Sequence, residues 1–150
     1  MTTLLWFQRD LRINDNPALS HSLELGQPLI AVYIHSPEQD AQWTEGAASR
    51  WWLHHSLSAL HADLQKLGTG LVLRRGDTRE VLLALAMETG ASSIYCSRQH
   101  EPWASEQEST LHGELVDQGI ELKRYQGSLL FEPELIKNQS GLPFKVFTPF

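Results

Sequence analysis

Three observations predict an α/β fold, a doubly wound five-stranded parallel sheet with helices on both faces. Short apolar runs alternate with helical patterns from residue 3 to about residue 124, the arrangement of a parallel sheet covered by helices. The first run, Thr3–Phe7, is apolar at every position after Thr3, as a strand buried on both faces must be. The third is bulk composition: 150 residues, 41% hydrophobic and 20% charged, make one domain. A chain of that size buries roughly 68–70% of its unfolded surface and needs no disulfide or metal staple.

The elements follow in order. After the strand Thr3–Phe7, Asn16-Pro17 supplies an N-cap and a proline at the first helical position, opening a short helix to about Leu25 that Gly26 closes. Leu29–Ile34 is β-rich and follows the breaker Gln27-Pro28. A long helix runs from about Ala47 to Leu67, with Leu53, Leu57, Leu60, Leu64 and Leu67 stepping by four and three along one face. That stripe is expected to pack on the sheet, and Gly68-Thr69-Gly70 stops the helix. Then come strand Leu71–Arg74, helix Thr78–Glu88 capped by Thr78 or Asp77, strand Ser92–Cys96, helix Pro102–Asp117 and strand Ile120–Arg124. From Tyr125 onward the periodicity fails. The tail Phe144–Phe150 holds three phenylalanines, whereas domain ends usually fray into polar residues. The expected division is a domain over 1–125, with 126–150 beginning a linker into a further domain.

Charge and cysteine content exclude several functions. Twelve Lys and Arg against eighteen Asp and Glu give a net charge of −6, which argues against phosphate neutralisation of nucleic acid by this domain alone. A single cysteine, Cys96, excludes an internal disulfide framework and a multi-cysteine metal site. It ends an apolar strand and reads as a buried small hydrophobe. His54 and His55 are adjacent on a helix, about 100° apart, with His61 seven residues beyond His54, so no metal site is expected. Trp51-Trp52 split between two helix faces in the same way; one is expected in the core and the other at an edge or interface. The N-terminus carries neither signal peptide nor membrane span, and a soluble cytoplasmic protein is expected.

In doubly wound sheets ligands sit beyond the carboxyl ends of the strands, near the point where strand order reverses. The loops at that end are 8–16, 35–46, 76–77 and 97–103, and they are polar and aromatic. Arg9 and Asp10 follow the first strand. Tyr33, His35 and Trp43 lie at and after the second, with Arg50 just inside the long helix. Arg98, Glu101 and Trp103 follow the fourth. This set suits a planar, hydrogen-bonding ligand. The alternative for Asp10 and Arg12 is that they cap and brace loops. No G-x-G-x-x-G follows the first strand and no P-loop occurs, which excludes an ordinary dinucleotide or P-loop site.

The stretch Trp6-Phe7-Gln8-Arg9-Asp10-Leu11-Arg12-Ile13-Asn14-Asp15-Asn16-Pro17-Ala18-Leu19 resembles the opening of the DNA photolyase/cryptochrome family, usually W-F-R-x-D-L-R followed by D-N-x-A-L. Arg50-Trp51-Trp52-Leu53, the Glu101-Pro102-Trp103 turn and Lys145-Val146-Phe147-Thr148-Pro149-Phe150 agree with it. The likeness spans essentially the whole chain, in the family's order. It departs at Gln8, where arginine is usual, and at Trp103, where tyrosine is commoner.

What the resemblance implies is the N-terminal, Rossmann-like domain of a class I-like deoxyribodipyrimidine photolyase. Such a domain holds an antenna chromophore that passes excitation to reduced FAD in a C-terminal helical domain, where the flavin splits cyclobutane pyrimidine dimers. Damaged DNA meets that second domain. No catalytic residue lies in these 150, and the piece alone is expected to be inactive and monomeric. A cryptochrome-type photoreceptor without repair activity, or a free-standing flavin- or nucleotide-binding protein, are the alternatives. Folate-binding members carry a histidine after the second strand and an Asn-Glu pair after the fourth; here stand Trp43-Thr44 and Trp103-Ala104. Ala47-Ala48-Ser49-Arg50 and Glu101-Pro102-Trp103 instead match members that bind deazaflavin. The resemblance therefore favours 8-hydroxydeazaflavin or FMN over methenyltetrahydrofolate.

Overall fold

The computed structural model describes residues 1–37, 45–127 and 129–145. Its elements are β1 (Thr2–Phe7), α1 (Pro17–Glu24), β2 (Leu29–His35), α2 (Ala47–Lys66), β3 (Leu71–Arg75), α3 (Thr78–Thr89), β4 (Ala91–Ser97), α4 (Pro102–Asp117) and β5 (Glu121–Tyr125), then a 3-10 turn over Pro133–Leu135. The strands form one sheet in the order β3-β2-β1-β4-β5, every neighbouring pair parallel. The predicted fold class and all nine regular elements are present, with no end shifted by more than one residue.

Alternation along the central strands sends side chains into two cores. Leu4, Trp6, Val32, Ile34, Ile94 and Cys96 meet Leu82 and Leu85 of α3 and Leu111 and Leu115 of α4 on one face. Leu5, Phe7, Ala31 and Tyr95 meet Ala18 and Leu19 of α1 and Leu60 and Leu64 of α2 on the other. β1 is buried on both faces, which is why its sequence shows no polar alternation. Burial pushes the Cys96 thiol well above its ordinary range, with the nearby Glu108 and Asp10 adding to the effect, and the side chain sits in the core as an apolar group.

Local chemistry starts and ends the helices where the sequence places those signals. Asn16 Oδ1 accepts from the Leu19 N–H at 3.0 Å, with Pro17 at the first position of α1. Asp77, not Thr78, caps α3, accepting from the Arg79 and Glu80 amides. Gly90 closes α3 at φ 64°, a left-handed conformation that glycine adopts without steric cost.

Two expectations for α2 need correction. Only Leu60 and Leu64 of the stripe are buried; Leu53 and Leu57 are half-buried, and Leu67 is 57% exposed. Leu67 lies past the last helical residue, as the C-cap, so its side chain leaves the stripe. Trp51 and Trp52 are both exposed, at 62% and 70%. Every residue from Ala47 to Trp52 is exposed, so this end of α2 leaves neither indole a core to enter. Trp51 packs instead against the His55 ring, 4.3 Å between centroids.

Candidate functional site

Strand order reverses between β1 and β4, because the chain runs outward from β1 through β2 to β3 on one side and through β4 to β5 on the other. The loops leaving β1 and β4 therefore diverge, and a cleft opens between them at the carboxyl end of the sheet. Its inner part, about 160 Å³, is walled by Phe7, Tyr33, Pro37 and Trp103, with Gln8, His35, Ser36, Glu45, Arg50, Gln99 and Gln107 as polar lining. It continues into a wider outer part of about 1070 Å³, bounded by Ala48, Ser49, Trp52 and Leu53 of α2 and by Glu101-Pro102-Trp103.

Six of the nine residues singled out from the sequence meet here: Arg9, Tyr33, His35, Arg50, Glu101 and Trp103. Arg9 Nη1 donates to Glu101 Oε1 at 2.5 Å, and its guanidinium lies 5.9 Å from the Trp103 ring centroid. This contact ties the β1 loop to the first turn of α4. With Arg9 65% exposed, it positions the wall and adds little stability. Arg50 Nη1 donates to the Glu45 carbonyl at 2.7 Å. Trp103 is 42% exposed and lines both parts of the cleft, so its indole is a wall and leaves the space open.

Asp10 and Arg98 do not line the cleft. Asp10 is buried beneath it, accepting from the Gln8 N–H at 3.1 Å, Asn16 Nδ2 at 3.3 Å and Ser97 Oγ at 2.5 Å. It ties the β1 loop to the end of β4 and to the cap of α1, the bracing role that was its alternative. Arg98 turns toward the C-terminal segment, where Nη1 donates to Glu132 at 2.6 Å and Nη2 to Glu134 at 2.5 Å. Arg12 similarly donates to the Gly127 carbonyl at 2.7 Å. Trp43 lies outside the described residues.

The Arg98 hydrogen bond holds the Glu134 carboxyl below the ordinary carboxylate range. A depressed folded-state value contributes stability above the unfolded value, which is lost as pH falls through the folded one. The 129–145 segment is thus expected to stay docked at neutral pH and to be cleaved faster in acid. Limited digestion of wild type and Arg98→Ala by an acid-tolerant protease, across that pH range, checks this; a pH response identical in the two would contradict it.

Gln8, Ser36, Glu45, Gln99 and Gln107 also line the cleft and are not among those nine. Gln8, Ser36 and Gln99 stand in the loops the strand ends pointed to. Gln107 lies one turn after Trp103 on α4, a spacing that puts both on one helix face. Glu45 had no motif to mark it.

Residues 3–150 match the family model for DNA photolyase. The chain belongs to the DNA photolyase family. Among curated relatives it is 40% identical over 147 residues to a deoxyribodipyrimidine photo-lyase from Agrobacterium fabrum, covering 98% of this chain and 30% of that protein. It is 36% identical to cryptochrome-1 of Arabidopsis thaliana, covering 99% of this chain and 22% of that protein. The solved bacterial class III photolyase from Agrobacterium tumefaciens superposes with a TM-score of 0.88 at 39% identity, over 98% of this chain and 30% of that one. An archaeal photolyase from Sulfolobus tokodaii, solved with two FAD molecules and described as implying a novel light-harvesting cofactor, superposes with a TM-score of 0.81 at 25% identity. That match covers 92% of this chain and 32% of the archaeal one. The chain thus spans less than a third of the photolyases and cryptochrome it matches, and the part it matches is their N-terminal α/β domain. Among the described residues no helix is long and apolar enough to cross a membrane, and no group of three or more His, Cys, Asp or Glu is placed to hold a metal.

Proposed function

We propose that these residues form the light-harvesting domain of a deoxyribodipyrimidine photolyase, with a planar antenna chromophore in the cleft at the carboxyl ends of β1, β2 and β4. The observation that carries this reading is the cleft: it sits at the switch point, is walled by Tyr33 and Trp103, and has polar groups convergent on its interior. The two parts, about 160 and 1070 Å³, leave room for a three-ring ligand and together lie somewhat above the roughly 300–1,000 Å³ usual for small-molecule sites. The light-harvesting cofactor implied for the archaeal relative supports it further. A tricyclic 8-hydroxydeazaflavin or FMN is the ligand favoured over methenyltetrahydrofolate. When bound, such a group absorbs light and hands excitation to FAD in a C-terminal domain, where cyclobutane pyrimidine dimers are split.

This chain's own residues give the chromophore a rigid, shielded seat. Tyr33 and Trp103 restrict it, and the Arg9–Glu101 contact fixes the wall that Trp103 belongs to. Damaged DNA is engaged by the C-terminal domain; the acidic net charge here is consistent with that division. A monomeric protein of the reducing cytoplasm fits the single, core-buried Cys96.

Arg50, at the mouth of α2, is placed to hold the polar edge of the ring. Arg50→Ala is expected to weaken chromophore binding at least tenfold, about 1.4 kcal/mol; unchanged affinity in a fluorescence titration removes it from the site. The deciding experiment for the whole reading is the visible spectrum of the purified full-length protein together with light-driven repair of a thymine dimer. A second absorption band beside the flavin's, and repair, are expected. The likeness to cryptochrome-1 favours one second reading, a photoreceptor. Two chromophores without repair would establish it.

A further inference from the structure

Resting on the reading of the cleft as a chromophore site, we propose that Glu45 anchors the ring that enters it. Its carboxylate accepts the ring N–H of a pyrimidinone-type heterocycle, the edge that flavins, deazaflavins and pterins share. Glu45 lines both the inner and the outer part of the cleft. Its Oε2 is shielded from solvent and has no hydrogen-bond partner. Buried carboxylate oxygens are almost always paired, because desolvating one without a donor is unfavourable. Arg50, a cation on the same cleft wall, gives Nη1 to the Glu45 main-chain carbonyl, and no ion pair of the Glu45 carboxylate is formed among the described residues. The position just before the N-cap Gly46 accounts for an acid there, since the α2 dipole favours negative charge. It does not account for an oxygen buried without a donor.

The neighbouring amides point to the same ligand edge. Gln8 Nε2 and Gln99 Nε2 both donate to the Ser97 carbonyl, at 3.3 and 3.4 Å. Each amide keeps its oxygen as an acceptor, and both residues line the inner part of the cleft. A ligand edge that complements two amide oxygens and a carboxylate carries N–H donors. An anionic phosphate or carboxylate end is repelled by Glu45 and belongs elsewhere in the cleft.

The test is equilibrium dialysis of the full-length protein, its flavin site saturated with FAD, against FMN, N3-methyl-FMN and methenyltetrahydrofolate. Wild type is expected to prefer FMN over the N-methylated analogue at least tenfold. Glu45→Ala should bring that ratio near one, and Glu45→Gln, which keeps a carbonyl acceptor, should preserve most of it. If folate is the ring that binds, Glu45→Ala should lower its affinity at least tenfold, with the pterin N–H as the shared donor. An unaltered FMN ratio or folate affinity in Glu45→Ala overturns the Glu45 assignment and leaves the cleft reading standing. Failure of wild type to bind either ring overturns both.

Discussion

Asp10→Ala is expected to destabilise the domain by about 4 kcal/mol, the sum of leaving several buried donors without an acceptor at ~1–3 kcal/mol each. The Gln8 amide, Asn16 Nδ2 and Ser97 Oγ all converge on this one carboxylate. Water cannot replace it, since Asp10, Asn16 and Ser97 are all buried. At about 2–4 °C per kcal/mol for a domain of this size, the midpoint should fall by roughly 10 °C. Asp10→Asn, which keeps one carbonyl oxygen and lets the Ser97 hydroxyl accept, should lose about half as much. Chemical denaturation of both variants measures this. A loss under about 1 kcal/mol in Asp10→Ala would mean that the three contacts re-form around water and that Asp10 is no brace. Chromophore affinity should fall in Asp10→Ala too, because the β1 loop carrying Gln8 and Arg9 rests on it.

Leu64→Ala should cost about 3 kcal/mol, the usual loss for a fully buried leucine with its cavity. Leu64 is 0% exposed, and with Leu60 it supplies the buried contact of α2 with the sheet. The stretch that bounds the outer cleft, Ala48 to Leu53, hangs from the same helix. The variant should therefore lose chromophore affinity together with stability. Leu67→Ala is the control. It belongs to the same heptad-like stripe in the sequence yet lies exposed at the C-cap, and should stay within about 0.5 kcal/mol of wild type. Equal losses in the two variants would show that the stripe packs along its whole length.

The contrast between Leu64 and Leu67 marks how far periodicity reaches. Spacing assigns residues to a helix face, and all five leucines share one. It does not say how far along its length the helix touches the sheet, nor where the last turn unwinds. Trp51-Trp52 make the same point: spacing of about 100° predicts one indole in the core and one at an edge or interface, and both are exposed. Boundaries with their own chemistry were legible in advance. Asn16-Pro17 and Gly26 act through contacts or backbone conformations within a few residues, so the local sequence contains the whole interaction.

The site divides along the same line. Strand ends named the loops, and the cleft does draw on Arg9, Tyr33, His35, Arg50, Glu101 and Trp103. Asp10 and Arg98 stand in those loops as well. Which side of a loop a side chain takes depends on partners as distant as Ser97 for Asp10 and Glu132 and Glu134 for Arg98.

By itself the sequence determined the α/β class, the order and approximate limits of the elements, the caps, and the family to which the chain belongs. These rest on short-range periodicity, on turn chemistry and on motifs read in order. Tertiary structure alone decided that β1 lies at the centre with the reversal beside it. It also decided that Asp10 is a brace beneath the cleft, and that Glu45, marked by no motif, has a buried oxygen without a donor. Each of these depends on contacts between residues tens of positions apart, which local spacing does not encode.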